Sequence, residues 1–167
     1  MMRRGIIKGL IPAMLAAGFV TEIVSAADPQ LGQFEEAIGR KFAIKRRAYQ
    51  TANAEIMRDE YYSKNAVIYA QDLKAVGAAA IYETYRKAFP IRKDIAIGKP
   101  QLGVSSDGTL GYALIVVKVL FKNSSDVKIA TLLLLWKREN DDWRCFLEAE
   151  VPGDQASHTF GKLPASP

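Results

Sequence analysis

Seven polar side chains carry most of the chemistry this sequence could perform: Tyr49, Asp59, Tyr62, Tyr69, Gln71, Asp72 and Tyr85. General acid–base work needs a titratable group held within hydrogen-bond reach of a substrate, and two carboxylates among phenols could supply one. Each residue also has a plain structural use. A tyrosine at helical spacing packs its ring in the core and leaves its hydroxyl at the rim. Asp59 reads as a solvated helix residue and Asp72 as a loop residue. His158 is the only histidine and Cys145 the only cysteine. A multi-histidine metal site, a thiolate cluster and an internal disulfide are therefore not expected. The stretch from Gly98 to Gly103 lacks the spacing of a phosphate-binding loop. No metal and no cofactor is called for.

The elements that must position these side chains follow from periodicity. Phe34, Ile38, Phe42, Tyr49, Ala52 and Ile56 recur near the helical period. The opposite face carries Arg40, Lys41, Lys45, Arg46 and Arg47 and reads as a solvated basic face. Asn53 is a good N-cap for a second helix, with Glu55 in its first turn. A short strand is expected over 66–70. Gly77 precedes a third helix, 78–89, whose Ile81, Tyr85 and Phe89 share a face and which Pro90 stops. Residues 94–104 read as a strand broken near Gly98 and Pro100.

Three long strands close the pattern: 110–121, 127–138 and 143–151. Val, Ile, Leu and aromatic residues fill them, and Asn-Ser-Ser-Asp and Glu-Asn-Asp-Asp turns separate them. Helices grouped before an antiparallel meander argue an α+β fold with the order α-α-β-α-β-β-β-β, the helices covering one face of a curved sheet.

Strand alternation sorts the side chains by face. Val117, Leu134, Trp136, Trp143 and Leu147 are expected to point inward, with Cys145, Ala149 and Val151. Arg144, Phe146, Glu148 and Glu150 are expected outward. Leu114, Val116, Leu133, Leu135 and Phe146 would then form an outer apolar patch, the usual mark of an interface. That patch predicts a homodimer through the sheet face. The inner face would be free of acids.

Residues 1–27 have the three parts of a secretory signal peptide: basic Arg3, Arg4 and Lys8, an apolar run from Leu10 to Val20, and a small-residue end at Ala26 and Ala27. The apolar run is short for a membrane span. The expectation is a cleaved leader, no stable membrane span after cleavage, and an exported, periplasmic or extracellular domain over 28–151. Residues 152–167 read as a loose tail. Removing three cations and Glu22 takes the formal charge from +5 to +3. That mild charge, without aromatics interleaved among the basic residues, does not suggest a nucleic-acid partner.

Three stretches resemble a known family: YYSKNAVIYA (61–70), VGAAAIYETYRKAF (76–89) and LLLLWKRENDDWRCFLEAEV (132–151). Together, over 34–151, they resemble the nuclear transport factor 2-like superfamily, its SnoaL-like and ketosteroid-isomerase-like bacterial branch. The resemblance implies a cone-shaped α+β barrel with three helices packed in a curved, mainly antiparallel sheet, a pocket inside the cone, and frequent dimers. It also implies places for catalysis. The steroid isomerases' first acid falls near Ala70, their second near Leu134, and their tyrosine near Arg46 with Tyr49 one turn on. Those places hold no acid here, so the resemblance supports a fold without its isomerase chemistry. The favoured expectation is a domain that binds a small hydrophobic molecule in an apolar cone lined by Tyr49, Tyr62, Tyr69, Tyr85, Val117, Leu134, Trp136, Trp143 and Leu147. The alternatives are an isomerase, dehydratase or hydrolase of the same fold, and an envelope interaction domain.

Overall fold

The computed structural model of the chain describes residues 29–70 and 73–151. The expected leader, the expected tail with His158, and the pair Gln71 and Asp72 lie outside the described residues. Helix α1 spans Pro29–Thr51. Helix α2, Ala54–Ile56, is capped as expected: the Asn53 side-chain oxygen accepts from the Glu55 amide at 2.9 Å. It widens into a π-helical turn over Met57–Tyr61. Strands β1 (Tyr62–Ala70) and β2 (Leu73–Val76) follow, then α3 (Gly77–Ala88). The remaining strands are β3 (Arg92–Ile97), β4 (Gln101–Val104), β5 (Leu110–Phe121), β6 (Val127–Glu139) and β7 (Asp142–Val151). The architecture is the expected α+β arrangement, with three helices against a mostly antiparallel, curved open sheet. Strand β2 is an addition to the expected order.

The seven strands form one sheet in the order β2-β1-β7-β6-β5-β3, with β4 also on β5. The broken strand over 94–104 resolves into β3 and β4, both paired with β5. Only the β1–β7 pair is parallel. The β6–β7 connection is a two-residue hairpin loop whose Asn140 and Asp141 both have positive φ, 47° and 62°. That geometry matches the right-handed twist of the strands it joins, and Asn and Asp tolerate it.

Helix α1 lies in the concavity. Its Phe34 ring packs edge-on against Trp143, centroids 4.6 Å apart. Gly111 makes room for it, because a Cβ there would sit 2.5 Å from the Phe34 ring. Trp136 and Leu134 are fully buried at the centre, and Tyr61 stacks edge-on against Trp136. Inward positions of β5 and β6 fall where alternation put them: Ala113, Ile115, Val117, Leu132, Leu134 and Trp136 are all in the core.

Two expectations about faces are corrected. Lys41 and Lys45 are not on a solvated face of α1. They are buried in the stripe of Phe34, Ile38, Ala48 and Tyr49, at spacings of three and four residues. In β7 the alternation breaks. Trp136 pairs with Cys145, but Leu135 pairs with Leu147, so Phe146 is an extra residue with no partner of its own. Such a β-bulge reverses the faces of everything beyond it. Leu147 and Ala149 stand opposite Leu135 and Leu133 on the outward face, while Glu148 stands opposite Leu134 on the inward face. Leu147 is therefore not a cone-lining residue, and Glu148 is not an outward one.

Candidate functional site

Beyond the bulge, the sheet and helices enclose a cavity of about 100 Å³. Helix α1 contributes Lys45 and Tyr49, α3 contributes Thr84 and Tyr85, and β3 contributes Arg92 and Ile95. Strands β1, β2, β5, β6 and β7 supply the rest, with Ile68, Val117, Val119 and Leu132 as apolar wall and Lys128, Glu148 and Glu150 as charged positions. Tyr69, on β1, is exposed and sits at the rim.

Glu148 is the centre of the polar wall. Its Oε2 accepts from the Lys45 ammonium at 2.7 Å and from the Tyr62 hydroxyl at 2.6 Å. The Tyr62 oxygen lies 2.9 Å from that of Tyr85. Its other carboxylate oxygen, Oε1, makes no hydrogen bond among the described residues, and the side chain keeps 10% of its surface exposed. Four groups from α1, β1, α3 and β7 thus converge in one chain: Lys45, Glu148, Tyr62 and Tyr85.

Electrostatics fix the protons in this chain. Burial works against the Lys45 ammonium, but the Glu148 carboxylate together with Tyr61, Tyr85 and Tyr49 outweighs it, and the lysine pKa lies well above its ordinary value. Burial first, and the Glu148 charge second, push the phenols of Tyr62 and Tyr85 upward as well. At neutral pH both hydroxyls keep their protons, so they act as donors or proton-bearing acceptors and not as bases. Cys145 is fully buried, its thiol raised by burial and then by Glu148, which leaves it an unreactive core residue.

A second polar set surrounds Tyr49. The Arg92 guanidinium donates from Nη1 to the Tyr49 hydroxyl at 3.0 Å. Near the cavity mouth, Lys128 pairs with Glu150 at 2.9 Å.

Apart from Leu147, which faces outward, the expected lining residues divide three ways. Tyr49, Tyr69, Tyr85 and Val117 do line the cavity. Tyr62 reaches it through its hydroxyl bonds to Glu148 and Tyr85. Leu134, Trp136 and Trp143 are packed into the core beside it. Asp59 lies on the surface, where both its oxygens accept from Arg58 at 2.7 Å. It borders an open groove with Arg58, Tyr62 and Arg144 and does not line the enclosed cavity.

Sequence reasoning missed Lys45, Glu148 and Arg92. Two signals bore on the first two. Lys45 falls on the apolar stripe of α1, seven residues from Ile38 and four before Tyr49. Phe146-Leu147 is a pair of adjacent large apolar residues in a strand that otherwise alternates, which is what a bulge looks like in sequence. Glu148 is the ladder partner of Leu134, one strand over.

The fold of the chain recurs among solved structures. A nuclear transport factor 2-like protein with a cystatin-like fold from Novosphingobium aromaticivorans superposes with a TM-score of 0.63 at 17% identity, covering 78% of this chain and 92% of that one. A nuclear transport factor 2-like protein of unknown function from Pseudomonas putida gives 0.62 at 12% identity, over 81% and 98%. A dehydratase candidate of the same group from Streptomyces avermitilis gives 0.62 at 10% identity, over 73% and 97%. The chain has the nuclear transport factor 2-like fold. No protein-family model matches the sequence, and no curated protein does.

Among the described residues there is no group of three histidine, cysteine, aspartate or glutamate side chains arranged to hold a metal ion. None of their helices is long and apolar enough to cross a membrane.

Proposed function

We propose that this protein binds a small molecule inside the cone and holds its polar group on the Glu148, Tyr62 and Tyr85 wall. One observation carries this reading. Glu148 is buried by the fold, yet among the described residues only one of its two oxygens is engaged. A buried carboxylate stabilises a fold best when its acceptors are all used, so an unused one facing a cavity is the mark of a ligand position. The wall replaces the apolar cone that alternation alone suggested. The test is a native mass spectrum of the purified protein together with its Glu148→Gln variant. A retained small-molecule adduct that the variant loses supports the reading. Wild type and variant with identical, adduct-free spectra, and no small polar molecule raising the wild-type melting temperature, would end it.

A second reading is proton transfer on that molecule. The Tyr62–Glu148 contact of 2.6 Å favours it, because it joins a carboxylate to a phenol that keeps its proton. The Streptomyces neighbour is a dehydratase candidate, but a fold hosts many functions and the residues must carry the argument.

The outer face supports a separate reading, assembly as a homodimer. Leu114, Leu133, Leu135, Phe146 and Leu147 are only half-buried, and none packs against the core cluster. Val116 beside them is buried without belonging to that core. Sedimentation velocity at micromolar concentration should give a dimer, and the Leu133→Glu, Leu135→Glu double variant a monomer. A wild-type monomer ends this reading. Export of the mature domain rests on the leader-like first 27 residues, and the intact mass of protein recovered from the producing cell tests it.

A further inference from the structure

Among the described residues the charges around the cavity do not balance. Three cations and two carboxylates of these line it: Lys45, Arg92, Lys128, Glu148 and Glu150. Lys45 is matched to Glu148 at 2.7 Å and Lys128 to Glu150 at 2.9 Å. Among the described residues Arg92 has no acid partner. Its Nη1 donates to the neutral Tyr49 hydroxyl, and neither its Nη2 nor its buried Nε makes a hydrogen bond among the described residues. The acid closest to it in sequence, Asp94, is committed elsewhere: Oδ1 accepts from the Ile95 amide at 2.8 Å and Oδ2 lies 3.5 Å from Arg46.

An arginine stays charged at any pH a protein meets. Leaving its donors unmatched at a cavity wall is costly, and a planar carboxylate is the group that satisfies them best. The remaining wall is apolar, with Ile95, Val117 and Val119 close by in the lining. The space of about 100 Å³ falls below the roughly 300–1,000 Å³ of sites for drug-sized ligands. It therefore suits a few heavy atoms and not a polycyclic body.

We propose that the cavity takes a small monocarboxylate, with its anionic end on Arg92 and Tyr49 and its short apolar body against β3 and β5. This rests on the small-molecule reading above and adds the ligand's class. The Glu148 wall then faces the rest of the molecule, and a second acid on the ligand would be repelled there.

The test pairs charged probes with neutral shape-matched ones. Sodium butyrate and sodium benzoate are titrated against butyramide and benzamide at matched ionic strength. Protein amide chemical shifts give Kd, and thermal melts report stability. The acids should bind saturably and tighter than the amides by about 10- to 100-fold, the scale of one charge-assisted hydrogen-bonded pair. Arg92→Met should remove that preference. Should that variant fail to fold, Arg92→Lys keeps the charge without the planar fork, and it should narrow the preference while the protein stays folded. Equal binding of acids and amides by the wild type overturns the carboxylate proposal and leaves the small-molecule reading standing. Binding of neither kind overturns both.

Discussion

Lys41 and Lys45 stand one turn apart on α1, and each reaches an acid on β7. Their surroundings nevertheless make them opposites. Lys45 meets Glu148 at 2.7 Å with both partners inside the protein. Lys41 meets Asp142 at the same 2.7 Å, but 45% of the Asp142 side chain is exposed, and the lysine also donates to the Glu60 carbonyl at 2.8 Å. Burial pulls the Lys41 pKa down and Asp142 only partly restores it, whereas Glu148 drives Lys45 above its ordinary value. The distances match; the solvent around the acid differs. Water screens Asp142, so its attraction for a buried ammonium is weak, while Glu148 acts through protein. The first pair closes the end of the barrel near the β6–β7 hairpin. The second supplies a cavity with a fixed charge.

The sharpest way to break this comparison is to remove each acid in turn. Glu148→Ala strands the Lys45 ammonium in the core and should cost about 3–5 kcal/mol in urea unfolding. Asp142→Ala leaves Lys41 its carbonyl acceptor near solvent and should cost about 1 kcal/mol or less. Equal losses at the two sites would show that the pairs do not differ in kind.

A somewhat smaller effect separates structural from functional use of the inner pair. Replacing both members, Lys45→Met with Glu148→Met, removes the stranded charge along with its partner. Buried pairs replaced by apolar residues of similar volume often hold stability or gain about 1–4 kcal/mol. The double variant should therefore fold at least about as well as the wild type while losing the adduct. Retained binding would reduce the pair to a structural one.

The smallest effect is in pH. Lys45 holds its proton more tightly folded than unfolded, so its contribution is complete below about pH 10.4, the usual lysine value. It falls only as pH rises beyond that, toward the raised folded pKa. Lys41 runs the other way. Its folded pKa is depressed, so folding is penalised below the ordinary lysine range, and the penalty is relieved as pH rises toward it. Melting temperatures between pH 8 and pH 11 should therefore fall less steeply at the alkaline end for Lys45→Met than for the wild type. They should rise less with pH for Lys41→Met. The same slope in both variants would contradict the assignment.

These two pairs also mark where the sequence could be read and where it could not. The meander, its turns, the Asn53 cap and the third helix follow from local rules, because hairpin strands and capped helices are specified by neighbours in sequence. The pairing of β1 with β7 is not local, and nothing in either strand announces it. Lys41 and Lys45 looked solvated because five basic residues crowd eight positions, yet only two lie on the Phe34–Tyr49 stripe. Tyr49, Tyr69, Tyr85 and Val117 could be assigned to the cavity wall, since a regular period carried them there. Glu148 could not, because alternation holds only while the ladder stays in step. Arg92 becomes distinctive only when the partners of every neighbouring charge are known in space.

The extra residue at Phe146 has a consequence for descent and engineering. In a strand, substitution changes one side chain, but a shift of pairing by one residue exchanges the two faces from that point onward. Were Phe146 paired with Leu135 and no residue left over, Leu147 and Ala149 would face the cone and Glu148 and Glu150 the outside, with every letter of the segment unchanged, whereas deleting the extra residue would leave Glu148 opposite Leu134. Within this fold, one bulge in the last strand decides whether its acids or its apolar residues face the cone. Comparisons between relatives should therefore be anchored on strand pairing and not on residue identity, since the two give different answers for which acid is the inner one.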